Sequence, residues 1–339
     1  MTRPYITVVV CTYNRAETLR DALNSLMLQK TGDQFSYETV VVDDASTDAT
    51  PSVIREAAAR SPTPMRYVQG SGKGIACARN KGIKESCADW IAFFDDDQVA
   101  DPNWLEELFA CAVQSGAEVV GGSVRLRLSD EEVRKISPLC RAMLGETYGR
   151  SKLARCLRKT FPGCGNILLK ATVFQSGVQF NESLTAGGED IEFTARLRRT
   201  GIEGWFTPKA IVRHDVPAHR LTESYLSWRS LRAGDNFAYR DFREWGLIRT
   251  MIACLARIAQ ASFINFPLML LAYILGNKAE VIGRKCMLFR AWGYLRQSLY
   301  LVSPRFFSQE TYFSSLNMRR ERDAFAGTLK STEWTIPAQ

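Results

Sequence analysis

Three consecutive carboxylates, Asp95-Asp96-Asp97, close the apolar run of residues 90–94. Like charges so placed repel one another unless a cation joins them. Oxygen donors of this kind suit a hard divalent ion, Mg2+ or Mn2+, bridging to a substrate phosphate. A solvated loop of helix-capping acids is the plainer account, and Asp101-Pro102 downstream already supplies a cap. The triplet has company, however. Thr12-Tyr13-Asn14 follows the β-branched run 6–11, Asp43-Asp44 ends the run 37–42, and Lys73 and Arg79 follow the run 65–68. Each group alone passes as turn or cap chemistry. Together they describe a nucleotide-diphosphate site, in which an acid accepts hydrogen bonds from a base or ribose and a held cation neutralises the diphosphate.

The second half of the chain offers a different pair, Glu189-Asp190, after Gly187-Gly188 and at the head of a helix whose apolar residues are Ile191, Phe193, Ala195 and Leu197. Acids are favourable at a helix start through the dipole, which is the plain reading of this pair. The chain has two histidines, His214 and His219. A lone histidine after a strand, the position of His214, is more often structural than a ligand, and His219 follows close behind it. What is missing also discriminates. No GxxxxGK[ST] loop occurs and no GxGxxG follows the first strand, so ATPase and dinucleotide-binding readings lose support, and Gly70-Ser71-Gly72-Lys73-Gly74 reads as a flexible loop.

These residues must be positioned by elements, and the first half alternates strand and helix. Strands are expected over 6–11, 37–42, 65–68 and 90–94, separated by helices carrying Leu19, Ala22, Leu23 and Leu26, then Ile54 and Ala58, then Ala76 and Ile83. That order predicts an α/β fold with a mostly parallel sheet flanked by helices, ligands lying at the carboxyl ends of the strands. A longer strand is expected over 118–128, then a basic stretch of weak pattern to Arg158, then a turn-rich loop, Phe161 to Asn166. Two short strands, 205–206 and 210–212, follow. Beyond 220 the chain turns to long helices, 221–239, 245–275 and 278–301. The division expected is 1–220 as the α/β domain (1–115 nucleotide-binding, 116–220 for the second reactant), 221–305 as a helical extension, and 306–339 as a polar tail.

The 339 residues suffice for a full core, and a net charge of +8 points to an anionic partner without choosing its class. No nucleic-acid module accompanies the charge. Nine singly spaced cysteines without a CxxC pair suit reduced thiols, and the N-terminus lacks the apolar core of a signal peptide, so a cytoplasmic protein is expected. Residues 258–275 approach bilayer-spanning length but include Gln260, Asn265 and Pro267, with Arg257 and Lys278 alongside. A helix in the membrane interface explains that mixture better than a span, and a core helix explains it as well.

TVVVCTYNR, VVVDDASTD, GIACARNKGI and WIAFFDDDQVADPNWL, continued by GCGNILLK, FNESL and GGEDIEFTARLRRTG, resemble the family 2 glycosyltransferases of the GT-A fold over about residues 5–215. The resemblance implies that Asp44 contacts the nucleotide base, that Asp97 is the principal metal ligand with Asp95 at metal or ribose, and that Asp96 fills the variable position. It makes Asp190 the catalytic base, Glu189 a residue orienting acceptor or base, and His214 a further ligand of Mn2+ or Mg2+. Thr12, Tyr13, Asn14, Lys73, Arg79, Gly165 and Asn166 become substrate contacts. Arg229 and Arg232, in the helix after 221, either close over the diphosphate or lie on a solvated or lipid-facing surface. The implied activity is inverting transfer from a nucleotide-diphospho-sugar to a glycan or lipid-linked acceptor in surface polysaccharide synthesis, at the cytoplasmic face of the membrane. Two other readings stay open: a sugar nucleotidyltransferase, which needs a basic Gly-rich loop that CTYNRAET does not provide, and an inactive scaffold of the same fold.

Overall fold

The computed structural model describes residues 3–147, 150–156, 161–184 and 188–304. Gly187, Arg158 and the tail expected at 306–339 lie outside them. The chain divides into two compact units, Met1–Arg125 with Gly149–Asp215, and Leu126–Tyr148 with Val216–Gln339.

The first unit is built on one nine-stranded sheet. β1 (Tyr5–Thr12), α1 (Ala16–Met27), β2 (Ser36–Asp43), α2 (Thr50–Arg60), β3 (Met65–Gln69), α3 (Ile75–Glu85) and β4 (Trp90–Asp95) alternate along the chain. β1 pairs in parallel with β2 and β4, and β2 pairs in parallel with β3. The expected alternation therefore makes a parallel half. Beyond β4 the same sheet continues antiparallel, making it mixed. β5 (Gln98–Ala100), β6 (Val119–Arg127), β8 (Asn166–Lys170) and β9 (Gly204–Asp215) complete the order β3-β2-β1-β4-β8-β6-β9-β5, and β7 (Ala154–Arg155) pairs with β9.

Because successive strand residues face opposite sides, a sheet covered on both faces needs continuous apolar runs. Val8, Val10, Ala92 and Phe94 meet α1, α2 and α4 (Trp104–Ser115) on one side. Val9, Val42, Ile91 and Phe93 meet α3 and α8 (Glu189–Arg199) on the other, α7 (Thr172–Gln175) lying between β8 and α8 in the chain. Leu19, Ala22, Leu23 and Leu26 of α1 recur at helical spacing and are wholly buried.

Two expectations change here. The separate strands at 205–206 and 210–212 are one strand, β9, with Pro208 between its pairing to β7 at Trp205–Phe206 and its pairing to β5 at Val212–His214. β5, three residues long, gave no periodic signal.

In the second unit, residues 126–148 group with the C-terminal helices and not with the sheet that precedes and follows them. Their weak pattern resolves into two short capped helices. Ser129 and Glu132 form a reciprocal capping box on α5 (Asp130–Lys135), and Ser137 caps α6 (Pro138–Met143). α9 (Glu223–Gln260), α10 (Phe266–Ile274) and α11 (Lys278–Val302) follow. α9 is folded back on itself. A straight helix would hold Asp241 and Arg257 about 24 Å apart, yet Arg257 Nη2 lies 3.2 Å from Asp241 Oδ2. The reversal occurs at Gly246, whose φ of 75° a residue with a side chain rarely adopts. The reversal falls inside the helix expected over 245–275, one residue past its start, whereas the gap expected between 239 and 245 is helical.

Candidate active site

The strand ends of the parallel half gather the expected donor-side residues. After β1, Asn14 accepts from the Thr47 amide at 2.8 Å and donates its own amide to Ser46 Oγ at 2.9 Å. Thr12 is buried at the same end, with the half-buried Tyr13 next to it. After β2, both oxygens of the buried Asp44 are held, one by the amide of Gly72 and the other by that of Gly74, each at 2.8 Å. The 70–74 loop is thus clamped rather than loose. A Cβ at Gly70 would come 2.9 Å from Asp44 Cα, so the loop can approach only as glycine. Lys73 is exposed on this loop.

The triplet splits into three environments. Asp95 at the end of β4 lies 3.4 Å from Arg79 Nη2 and abuts the backbone of Gly165, leaving no room there for a Cβ. Burial among protein groups pushes its carboxyl up to about 6, Arg79 opposing and Asp97 and Asp96 adding to the rise. Asp97 lies 3.2 Å from His214 Nδ1 and 3.7 Å from Arg15 Nη2. The short β5 makes that meeting, since its register sets Gln98 opposite His214. Asp96, expected to be a spacer, is instead buried with Oδ2 lacking a hydrogen-bond partner, as does the buried Gln98 Oε1. Buried acceptors left in this state imply a missing partner.

The second-half acids reach the same place through Arg79. This guanidinium is buried and donates to Glu189 Oε1 at 2.7 Å as well as reaching Asp95. Its two carboxylates are 94 positions apart in the sequence. Arg79 and Glu189 were expected at the substrate; in the structure they are paired with each other. Asn80, the next residue of α3, holds the FNESL segment: it donates to the Phe180 carbonyl at 2.9 Å and to Glu182 Oε1 at 2.8 Å, and accepts from the Phe180 amide. Asp190, partly exposed at the start of α8 beside Gly188 (φ 88°), accepts from the Ile191 amide at 2.7 Å.

Two buried thiols register the convergence. Burial pushes Cys11 up to about 12, with Arg79 opposing and Asp95, Asp96 and Asp44 adding. Cys164 is also pushed well up, by burial first, with Arg79 opposing and Asp190, Glu189 and Asp95 adding. The acids of both halves therefore act on the same small region. Single spacing in the sequence gave no sign that these cysteines fill it.

The remaining candidates have these surroundings. Asn166 is buried, accepts from Trp104 Nε1 at 2.8 Å, and donates to the carbonyls of Ser123 and Ala210, so its capacity is committed to the fold. Arg232 belongs to the helical unit, where it is buried and paired with Asp235; Arg229 is half-buried in that unit. His219 packs edge-on against Tyr225. Arg15 was missed, its signal being its place beside Asn14 in TYNR.

The donor set fits a divalent ion. Asp97 and His214 offer hard oxygen and borderline nitrogen, Asp95 stands next to them, and unpartnered acceptors lie at Asp96 and Gln98. Among the described residues no three such side chains are drawn together as a ready-made cage. An ion that arrives with nucleotide phosphates needs one or two carboxylates, the phosphates and water completing its shell.

A mixed α/β sheet with acids at its strand ends and a second acid pair on a later helix is the arrangement of a GT-A transferase. The chain belongs to glycosyl transferase family 2, whose model matches residues 7–174. It is a glycosyltransferase. Succinoglycan biosynthesis protein ExoM of Rhizobium meliloti is 28% identical over 232 residues, covering 68% of this chain and 73% of that protein. Glycosyltransferase AglE of Haloferax volcanii is 25% identical over 215 residues, 63% and 67% of the two chains. The fold also matches that of the mannosyltransferase PcManGT from Pyrobaculum calidifontis, solved with GDP-Man and Mn2+, at a TM-score of 0.52 and 16% identity, covering 97% of this chain and 82% of that one.

Proposed function

We propose that this glycosyltransferase transfers a sugar, with inversion and with a divalent ion, from a nucleotide-diphospho-sugar to a hydroxyl of a glycan or lipid-linked acceptor in the synthesis of a surface polysaccharide, working on the cytoplasmic side. The observation that carries the reading is the buried Arg79 bridge, which fixes Asp95 on the donor side relative to Glu189 and hence to its neighbour Asp190. A residue-specific base within reach of a donor-holding acid is what a single in-line displacement requires.

In this mechanism Asp44, clamped by two amides, retains lone pairs for the base, and Asp95 and Asp96 receive the ribose and diphosphate side of the donor. Asp97 and His214 would hold Mn2+ or Mg2+, which when bound offsets the charge that builds on the departing diphosphate. Asp190 takes the proton of the acceptor hydroxyl as the new bond forms, and its exposure leaves it open to an incoming acceptor. Glu189 and Arg79 keep it in register. Nucleotidyl transfer fits poorly, because the loop after β1 is occupied by Asn14 contacts and carries no glycine-rich phosphate cradle. Loss of activity in a scaffold fits poorly too, since every acid of the proposed chemistry is present.

The test is donor turnover. Purified full-length protein screened against nucleotide-sugars should show transfer or slow hydrolysis that chelation removes and Mn2+ restores, with the Asp97→Asn variant needing more metal for half-activity. Turnover unaffected by chelation would rule out the metal role, and an Asp190→Asn variant with normal transfer would rule out the base.

A further inference from the structure

Residues 258–277 contain no charged side chain. From the second arm of α9 through the turn that follows it and into α10, Ile248, Ile252, Leu255, Phe263, Phe266 and Leu270 are exposed, with Ile248 and Phe263 open by 77% and 81%. They recur at about one helical turn, the register being kept through a π-helical turn at Ala261–Asn265. Tyr273, Ile274 and Leu275 extend the face to the end of α10, each more than two-thirds exposed. Isolated exposed apolar residues are ordinary on a soluble protein, but a continuous face of this length marks an interaction surface.

The polar residues that interrupt the sequence of this segment do not all interrupt its surface. Asn265 is buried: it accepts from Arg284 Nη1 at 3.2 Å and donates to the Gln260 carbonyl at 3.3 Å. Arg257 turns inward to Asp241, and its guanidinium stacks on Tyr294. The ends of the face carry exposed cations, Arg243 and Arg249 at one end and Lys278 at the other. Over residues 223–302 eleven Lys and Arg stand against five Asp and Glu. That excess complements anionic headgroups.

We propose that this face lies in the headgroup–acyl boundary of an anionic bilayer, with the helix axis in the plane of the membrane. A crossing is disfavoured by the buried ion pairs that tie the two arms of α9 to each other and to α11. Asp235, fully buried, holds Arg232 and Arg296, and Asp241, also fully buried, holds Arg240, Arg257 and Tyr294, so a span would carry these clusters into hydrocarbon or tear them apart. An in-plane helix buries the outer face and leaves both clusters intact. The inference concerns the helical unit alone and stands or falls separately from the donor chemistry.

Vesicle flotation of the full-length protein tests it, using phosphatidylcholine with and without phosphatidylglycerol. The wild type should float with the anionic vesicles and be released by alkaline carbonate. An Ile248→Ser/Phe263→Ser/Ile274→Ser variant, altered only at exposed positions, should retain its melting temperature and partition at least about tenfold more weakly. Arg249→Glu/Lys278→Glu should lose binding to anionic vesicles while binding to neutral ones stays unchanged. The proposal is overturned by failure to float, by equal flotation of the triple variant, by carbonate-resistant retention, which means a span, or by a stable dimer that buries the face and does not float.

Discussion

At the scale of single residues, the triplet is three different groups. Asp97 meets His214 and Arg15, Asp95 meets Arg79, and Asp96 is buried with an unpartnered oxygen. Asp96→Asn should therefore weaken donor binding about as much as Asp95→Asn, measured by calorimetry with the nucleoside diphosphate, whereas a spacer would tolerate the change. Asp190→Asn should lower transfer by roughly 10²–10⁴-fold, the usual weight of a general base, with donor affinity nearly unchanged. The buried thiols give a prediction with a defined pH sign. A thiol raised to about 12 gains thiolate only as pH climbs toward that value, so Cys11 should resist alkylation at pH 7.5 and, with Cys164, be labelled only after unfolding. Cys87, which is exposed, should be modified in the native protein, as peptide mass spectrometry would show. The acids were legible because they end apolar runs. Their individual roles were not, because adjacent residues at a strand end can face opposite sides and nothing local says which side is buried.

At the scale of elements, the site depends on close approaches that only backbone and compact side chains allow. Gly165 fits against Asp95 only without a Cβ, so Gly165→Ala should displace that carboxylate and reduce donor binding without a comparable loss of fold stability. Asn166 does the opposite work. Asn166→Ala would leave the Trp104 indole N–H and two carbonyls buried without partners, and should lower unfolding stability by about 2–4 kcal/mol, seen in a denaturant titration. The resemblance implied a substrate contact for Asn166. Its partners in the fold are 43 to 62 positions away, a distance no local pattern spans. Gly246 has a similar lesson. A change of helical pattern near this point was legible, but where the chain breaks, and that it reverses, depends on the positive φ at Gly246 and on the Asp241–Arg257 contact that seals the reversal.

At the scale of the whole molecule, a net charge of +8 bounded the partners to anionic ones, and its concentration in the helical unit next to an apolar face narrows the class. If electrostatics contribute as that distribution implies, raising ionic strength from about 0.05 to 0.5 M should weaken binding to anionic vesicles several-fold and leave the apolar component. A sedimentation assay across a salt series measures it. By itself the sequence determined the parallel half of the sheet, the residues at its strand ends and the family, because strand–helix alternation and polar residues closing apolar runs are local signals that survive without a fold. Tertiary structure alone decided which acids are buried, that Arg79 joins Asp95 to Glu189, that Asp97 meets His214 through a three-residue strand, and that Asn265 turns away from the apolar face. Each of these depends on long-range pairing, in which a side chain's environment is set by residues far along the chain.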